Sequence, residues 1–262
     1  IVIVSDCSDV AYNELRATIL AELDKHGSSD VSVEPLVKAE EFSLINGAFL
    51  VRLMAEVYSP NETIFLVILN PLTTDRVDRA RIVGETKNGF KFVGENTGTL
   101  NWLIEDFGLK RLFEVKAPGL KGKDFIPFGG KYIHAPIAAK IASGQDLSEF
   151  GIGKSKNFLT KFKVSEGTVV HIDNFGVAKV KSRLPKAKEG EKIGVYINGK
   201  KRINAIFTRC MKDLPDGEWA VFPGSSVERL SEIGRVRKLG SAKKLRLKLG
   251  DIIEFRNVRK HG

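Results

Sequence analysis

The chain has 262 residues, 42% of them hydrophobic and 28% charged, with 25 glycines and 9 prolines. That length buries a substantial core in one large or two modest domains, and the composition excludes a disordered, collagen-like or low-complexity chain. The formal net charge is +10, yet residues 1–153 carry 16 Lys+Arg against 21 Asp+Glu while residues 154–262 carry 26 against 11. The charge thus turns from −5 to +15 where the residue pattern also changes, which predicts domains 1–153 and 154–262.

No apolar run approaches the roughly 20 residues of a membrane span, and Ile1–Val4 is too short for a signal peptide, so a cytoplasmic protein is expected. Cys7 and Cys210 are the only cysteines, and His26, His134, His171 and His261 lack metal-ligand spacing, so neither a disulfide framework nor a metal is expected.

In chain order, Ile1–Val4 followed by Ser5-Asp6 reads as a buried parallel strand with functional groups at its carboxyl end. Asn13 to Lys25 reads as a helix, with Leu15, Ile19 and Leu23 at helical spacing. Ser32–Pro35 is a weak strand, and Phe49 to Tyr58 a second amphipathic helix. Thr63 to Leu69 is apolar on both faces, so it belongs in the middle of a sheet covered by helices, and it ends at Asn70-Pro71. Phe90–Val93 adds a strand, and Ile133 to Ser143 a helix with Pro136 in its first turn. Strands alternating with helices predict an α/β domain with a mostly parallel sheet, whose ligand crevice lies at the strands' carboxyl ends.

After Lys154 the pattern turns to short alternating segments at 167–172, 192–197, 201–208, 219–222 and 251–256. Asn198-Gly199 between two of them is a hairpin signal, because both residues tolerate positive φ. This half reads as an all-β domain forming a barrel.

Several segments, taken in order, resemble the family of S-adenosylmethionine hydroxide adenosyltransferases, which includes the S-adenosylmethionine-dependent fluorinases and chlorinases. They are Ser5-Asp6, Asn46-Gly-Ala-Phe49, Asn70-Pro71, Phe92-Val-Gly-Glu-Asn-Thr-Gly98, Ala135-Pro-Ile-Ala-Ala-Lys140, Ile172-Asp-Asn-Phe-Gly176 and Gly240-Ser-Ala242. The resemblance implies an N-terminal α/β domain and a C-terminal β-barrel. It also implies a homotrimer whose sites lie between subunits, an arrangement the acidic and basic halves would favour.

By the same resemblance, Asp6 accepts hydrogen bonds from the two ribose hydroxyls of S-adenosylmethionine, and Phe42 lies against the ribose and sulfonium. Asp173 pairs with the ammonium of the methionine moiety, beside Phe175-Gly176. Val177 stands where the family has an asparagine that reads adenine, which leaves adenine to backbone groups near Ser225-Ser226 or Gly240–Ala242. The reaction is displacement at the ribose 5′ carbon with methionine leaving, and no cofactor beyond S-adenosylmethionine as substrate is implied.

The water-using members orient their nucleophile with an aspartate, an arginine and a histidine. Here Asn70 replaces the aspartate, and an amide does not accept a proton from water. Arg79 is the candidate arginine, with Arg76 as the alternative. Gly129 replaces the histidine, and His134, five residues on, is the lesser candidate to substitute for it. Thr73 matches the halide-using members, but Gly130 stands where they have serine.

The expected function is therefore hydrolysis of S-adenosylmethionine to adenosine and methionine. The alternative is a family member that binds S-adenosylmethionine or adenosine as a sensor without turning it over. The basic runs Arg235–Lys238 and Lys243–Lys248 lack interleaved aromatics, so neither a nucleic-acid nor a membrane partner is expected.

Overall fold

The computed structural model describes residues 1–70, 80–116 and 126–258. The chain forms two compact units, Ile1–Lys163 and Val164–Gly262. The division falls after Lys163 rather than after Gly153. The intervening segment stays with the first unit because Asn96 donates to the Phe158 carbonyl (2.8 Å) and accepts from the Thr160 amide (2.9 Å), while Asn101 donates to the Thr160 and Phe162 carbonyls. Side-chain amides far upstream set this boundary, so a charge count does not see it.

The first unit holds a seven-stranded sheet. Its strands are β1 (Val2–Ser5), β2 (Val37–Lys38), β3 (Ile64–Ile68), β4 (Arg81–Thr86), β5 (Lys91–Glu95), β6 (Leu109–Val115) and β7 (Gly151–Gly153), in the order β2-β1-β3-β5-β4-β6-β7. The pairs β2–β1, β1–β3 and β3–β5 are parallel, and only β4 and β7 run against the common direction. All five β3 residues are buried, as expected for a central strand with helices on both faces.

Helices α1 (Asp9–Lys25) and α4 (Ala135–Ala142) cover one face. There Leu15, Ile19 and Leu23 pack with Ile3, Leu66, Ile68 and Val93. Alternation along the strands turns Phe65 to the other face, where its ring lies 5.4 Å from Phe90 and Phe90 lies 5.6 Å from Phe107. Helices α2 (Leu44–Met54) and α3 (Asn101–Phe107) complete that layer, with Phe49 and Trp102 in contact.

Helix α2 starts before the expected Phe49, because the Ser43 hydroxyl accepts from the Asn46 amide and caps a first turn that carries Asn46 and Gly47. The weak strand expected at Ser32–Pro35 is replaced by β2, where Val37 pairs with Val4. Among the described residues no helix is long and apolar enough to cross a membrane.

Within β4, Gly84 lies under the Phe92 ring, and a Cβ there would also meet the Arg111 carbonyl oxygen at 2.8 Å. Backbone cannot yield as a flexible side chain does. Gly84→Ala is expected to destabilise the first unit by about 2 kcal/mol or more, read as a lower urea midpoint; an unchanged midpoint would contradict this packing.

The second unit contains β8 (Thr168–Ile172), β9 (Ala178–Lys181), β10 (Lys192–Ile197), β11 (Lys200–Phe207), β12 (Trp219–Pro223), β13 (Ser231–Arg235), α5 (Ser241–Leu245) and β14 (Ile253–Asn257). The sheet order is β14-β10-β11-β12-β13-β9-β8, antiparallel except for β11–β12. It curls until its ends meet: Val169 donates to Asp251, and Ile253 donates to Gly167, both at 2.8 Å. Asn198 and Gly199 make the β10–β11 turn with φ of 48° and 77°, the geometry their residue types favour. Val169, Val180, Val195, Val221 and Ile233 form the core with Ala242 and Leu245 of α5.

Candidate functional site

In a sheet whose central strands run parallel, the carboxyl edge presents loop groups side by side. Asp6 follows β1 at that edge and is 9% exposed. Its Oδ2 accepts from the Phe42 amide (3.0 Å) and the Asn70 amide (3.0 Å), so one carboxylate ties together the chain after β1, before α2 and after β3. Oδ1 receives a longer bond from Asn70 (3.2 Å) and faces the Cys7 thiol at 3.8 Å. A carboxylate offers about four acceptor positions. Asp6 is thus held in place by backbone donors on Oδ2, and Oδ1, with the longer bond and the weak thiol contact, is the less committed oxygen.

Phe42 is 45% exposed and adopts φ +61°. A phenylalanine in the left-handed region costs roughly 1–2 kcal/mol, so the loop is held there by its surroundings. Asn46, buried in the first turn of α2, accepts from the Glu40 amide at 2.9 Å and straps the loop on its other side. Gly47 lets this helix end close onto Leu69, whose methyl fills the space of a Cβ.

A second group lies farther along the same edge. Arg81 opens β4 opposite Glu95, is 7% exposed, and lies flat over Gly129: a Cβ there would meet its Nη2 at 2.6 Å and its Cζ at 3.2 Å. Burial lowers the guanidinium's pKa and the Glu95 charge opposes this. Gly130–His134 forms a π-helical turn leading into α4, a local widening that recurs at functional positions.

That turn places His134 inside, 1% exposed, with Nδ1 3.1 Å from the Gly129 carbonyl. The Gly129 and Gly94 carbonyls both only accept, so each favours a ring N–H directed at it. Burial first, and the Arg81 charge second, lower the imidazole pKa to about 4, against the opposing pull of the Gly129 and Gly94 carbonyls. Arg81 Nη1 and His134 Nε2 have no hydrogen-bond partner among the described residues.

In the second unit, Asp173 closes the turn between β8 and β9: its Oδ1 accepts from the amides of Phe175 (3.0 Å) and Val177 (2.8 Å). Phe175 is exposed, and its carbonyl accepts from Gly240 (2.9 Å) while that of Gly176 accepts from Ala242 (2.8 Å). Gly176, at φ +83°, meets the Gly240 backbone so closely that no side chain fits. The Val177 side chain is buried against Gly234.

Ser225 is exposed and Ser226 buried. They begin a left-handed turn in which Val227, Glu228 and Arg229 have φ of 42°, 53° and 64° and Leu230 donates to Ser226 at 3.0 Å. Three such residues in a row are strained, the β-branched valine most of all.

The sequence pattern of the SAM hydroxide adenosyltransferase N-terminal domain matches residues 1–151. The chain belongs to this family. Among its relatives, the (R)-S-adenosyl-L-methionine hydrolase of Methanocaldococcus jannaschii is 24% identical over 178 residues, covering 66% of this chain and 64% of that protein. The chain thus matches somewhat under two thirds of that relative's length. A crystal structure of an uncharacterized conserved protein from Thermotoga maritima superposes with a TM-score of 0.78 at 22% identity, covering 98% of this chain and 100% of that one. A conserved hypothetical protein from Thermus thermophilus gives 0.72 at 20% identity, covering 97% and 98%. These two likenesses concern the fold.

Against the family's pattern, the structure brings Asp6, Phe42 and Asn70 together, and Asn70 joins through its amide with its side chain exposed. It brings Asp173 and Phe175 beside Gly240–Ala242. Ser225 and Ser226 sit toward the other end of the β9–β13 pair, near Ser231 and Ser182, and do not join the Asp173 turn. Arg79, its alternative Arg76, and Thr73 lie outside the described residues.

The sequence marks Asn46 only as part of the Asn46–Phe49 segment, without a role, and does not mark Arg81 or the π-turn. The available signal for Arg81 was an arginine at the start of an apolar run together with two glycines, Gly129-Gly130, where a histidine was expected.

Proposed function

We propose that this protein hydrolyses S-adenosylmethionine to adenosine and methionine. The observation that carries the reading is the Asp6 carboxylate, fixed by two backbone amides at the carboxyl edge and flanked by the strained, half-exposed Phe42. Such a carboxylate suits a vicinal diol, whose two hydroxyls donate to one anion, and an exposed aromatic face suits the sulfonium beside it.

Family membership and the name of the archaeal relative support the same substrate. In this reading Asp173 and Phe175 receive the methionine moiety, while the backbone near Gly240–Ala242 or Ser225-Ser226 serves adenine. Arg79 and Thr73 remain assigned to the reaction loop. The homotrimer belongs to the reading as well and is checked by light scattering.

A sulfonium is a good leaving group, so holding it and aiming a water along the back of the C–S bond supplies most of what the step needs. The test is incubation with each sulfonium epimer of S-adenosylmethionine in ¹⁸O-water. Adenosine carrying the label at its 5′ oxygen, above a protein-free blank, is the expected product. Calorimetric binding without adenosine would favour the sensor reading, which the exposed amide of Asn70 in place of a carboxylate favours; neither product nor binding would remove both.

A further inference from the structure

The second unit carries an exposed face that the hydrolysis reading leaves unused. Alternation along β10, β11 and β14 buries Ile193, Val195, Ile197, Ala205 and Ile253 and turns the residues between them outward. Lys192, Gly194 and Tyr196 point outward on the middle strand, β10. The register sets Lys201 of β11 and Glu254 of β14 on either side of Tyr196, with Arg256 of β14 beside Gly194. A bulge opposite Val195-Tyr196 adds the unpaired Arg202, so β11 offers two exposed cations at this level.

The Tyr196 ring lies across Gly194, where a Cβ would meet its Cε2 at 3.1 Å and Lys201 Cε at 3.7 Å. Arg256 completes the surface: its Cζ sits 4.2 Å over the ring, and its side chain is 54% exposed. Glu254, which accepts from Arg256 Nη2 at 2.6 Å, is the one carboxylate among the outward residues of these strands. The face therefore joins an aromatic–guanidinium stack to the charges of Lys192, Lys201 and Arg202.

We propose that this face binds single-stranded nucleic acid, with Tyr196 and Arg256 as the stacking platform for a base and Lys192, Lys201 and Arg202 as its phosphate contacts.

Charge complementarity calls for a polyanion, and the stack narrows the choice. An unpaired base has a π-face that matches a ring or a guanidinium plane, whereas bases in a duplex are already stacked on one another. An acidic peptide would use the cations and leave the stack idle. A bilayer would need exposed large apolar side chains, and the outward positions here supply only the half-buried Ile206. Small β-barrels present nucleic acid on a sheet face in this way. The basic runs 235–238 and 243–248 contain no aromatic, so reading them along the chain sets nucleic acid aside. Cations and a ring gathered from three strands leave no such local signal.

The test is fluorescence anisotropy of the full chain with a fluorescein-labelled oligouridine about 12 nucleotides long, beside an RNA duplex of the same length, across a salt series. Micromolar binding of the single strand at low salt is expected, with log K falling against log salt at a slope of about −2 to −3, as for three or four phosphates. Tyr196→Ala is expected to weaken the single strand about tenfold, and Lys201→Gln with Arg202→Gln to reduce the slope by about 1.4. No binding at low salt, duplex binding as tight as that of the single strand, or a folded Tyr196→Ala protein within about twofold of wild type would each overturn the inference. If that variant does not fold, ultraviolet cross-linking of the oligouridine to the wild-type chain decides. Cross-links on β10, β11 or β14 are expected, and cross-links confined to other segments would overturn it. None of these residues belongs to the site around Asp6, so the outcome leaves the hydrolysis reading untouched.

Discussion

Asp6→Ala is expected to lower kcat/KM for S-adenosylmethionine by about 10²–10⁴. Two charge-assisted hydrogen bonds to the ribose diol, at about 1.5–3 kcal/mol each, are lost together, and each 1.4 kcal/mol is a factor of ten. The loss has a second source inside the protein. The same carboxylate fixes the Phe42 and Asn70 amides, so without it the Glu40–Phe42 loop keeps only its tether to Asn46. Asp6→Asn removes the charge but keeps one acceptor oxygen, so it is expected to fall between wild type and alanine. Calorimetry of adenosine binding reads the same effect without turnover. A folded Asp6→Ala protein that binds adenosine within threefold of wild type would contradict the assignment.

Protein stability is expected to rise between about pH 4 and pH 6.5 through His134. Its pKa falls from 6.5 in the unfolded chain to about 4 in the fold, burial being the larger cause and the Arg81 charge the smaller. Between those values the unfolded chain binds a proton that the folded protein excludes, so acid favours unfolding and stability increases with pH until the unfolded imidazole is neutral. The whole contribution is on the order of 3 kcal/mol. The charged groups around the ring are Arg81, which stays protonated throughout, and Glu95 beyond it. Urea unfolding at several pH values checks this, with His134→Phe as the reference because carboxylates and His171 also titrate. The wild-type curve should climb more steeply than the variant's across this window; parallel curves would contradict the buried, neutral imidazole.

Elements whose burial is uniform or strictly periodic were legible in the sequence. The all-buried β3 and the Leu15–Ile19–Leu23 stripe of α1 follow from hydrophobic pattern alone, and the Asn198-Gly199 hairpin follows from two residues that accept positive φ. Strands β4 and β9 were not legible. Arg81 opens β4 as a buried charge balanced by Glu95 on the neighbouring strand, and β9, although it alternates Ala-Lys-Val-Lys, is only four residues long, with Lys179 paired to Glu232 of β13. A charge made tolerable by a partner across the ladder carries no local signal.

The same holds for the site. Asp6 stood out because it follows a buried strand, and its neighbours Phe42 and Asn70 entered through the family resemblance. The role of Asn46 depends on a bond to Glu40 six residues away, and that of Arg81 on a glycine from a different element. Phe42 in the left-handed region is likewise visible only when the loop is closed by Asp6.

The most direct test is a crystal structure of the full chain with adenosine bound. Both ribose hydroxyls are predicted to lie within hydrogen-bond distance of the Asp6 carboxylate. A nucleoside found with its diol away from Asp6, or bound elsewhere on the protein, would contradict the account.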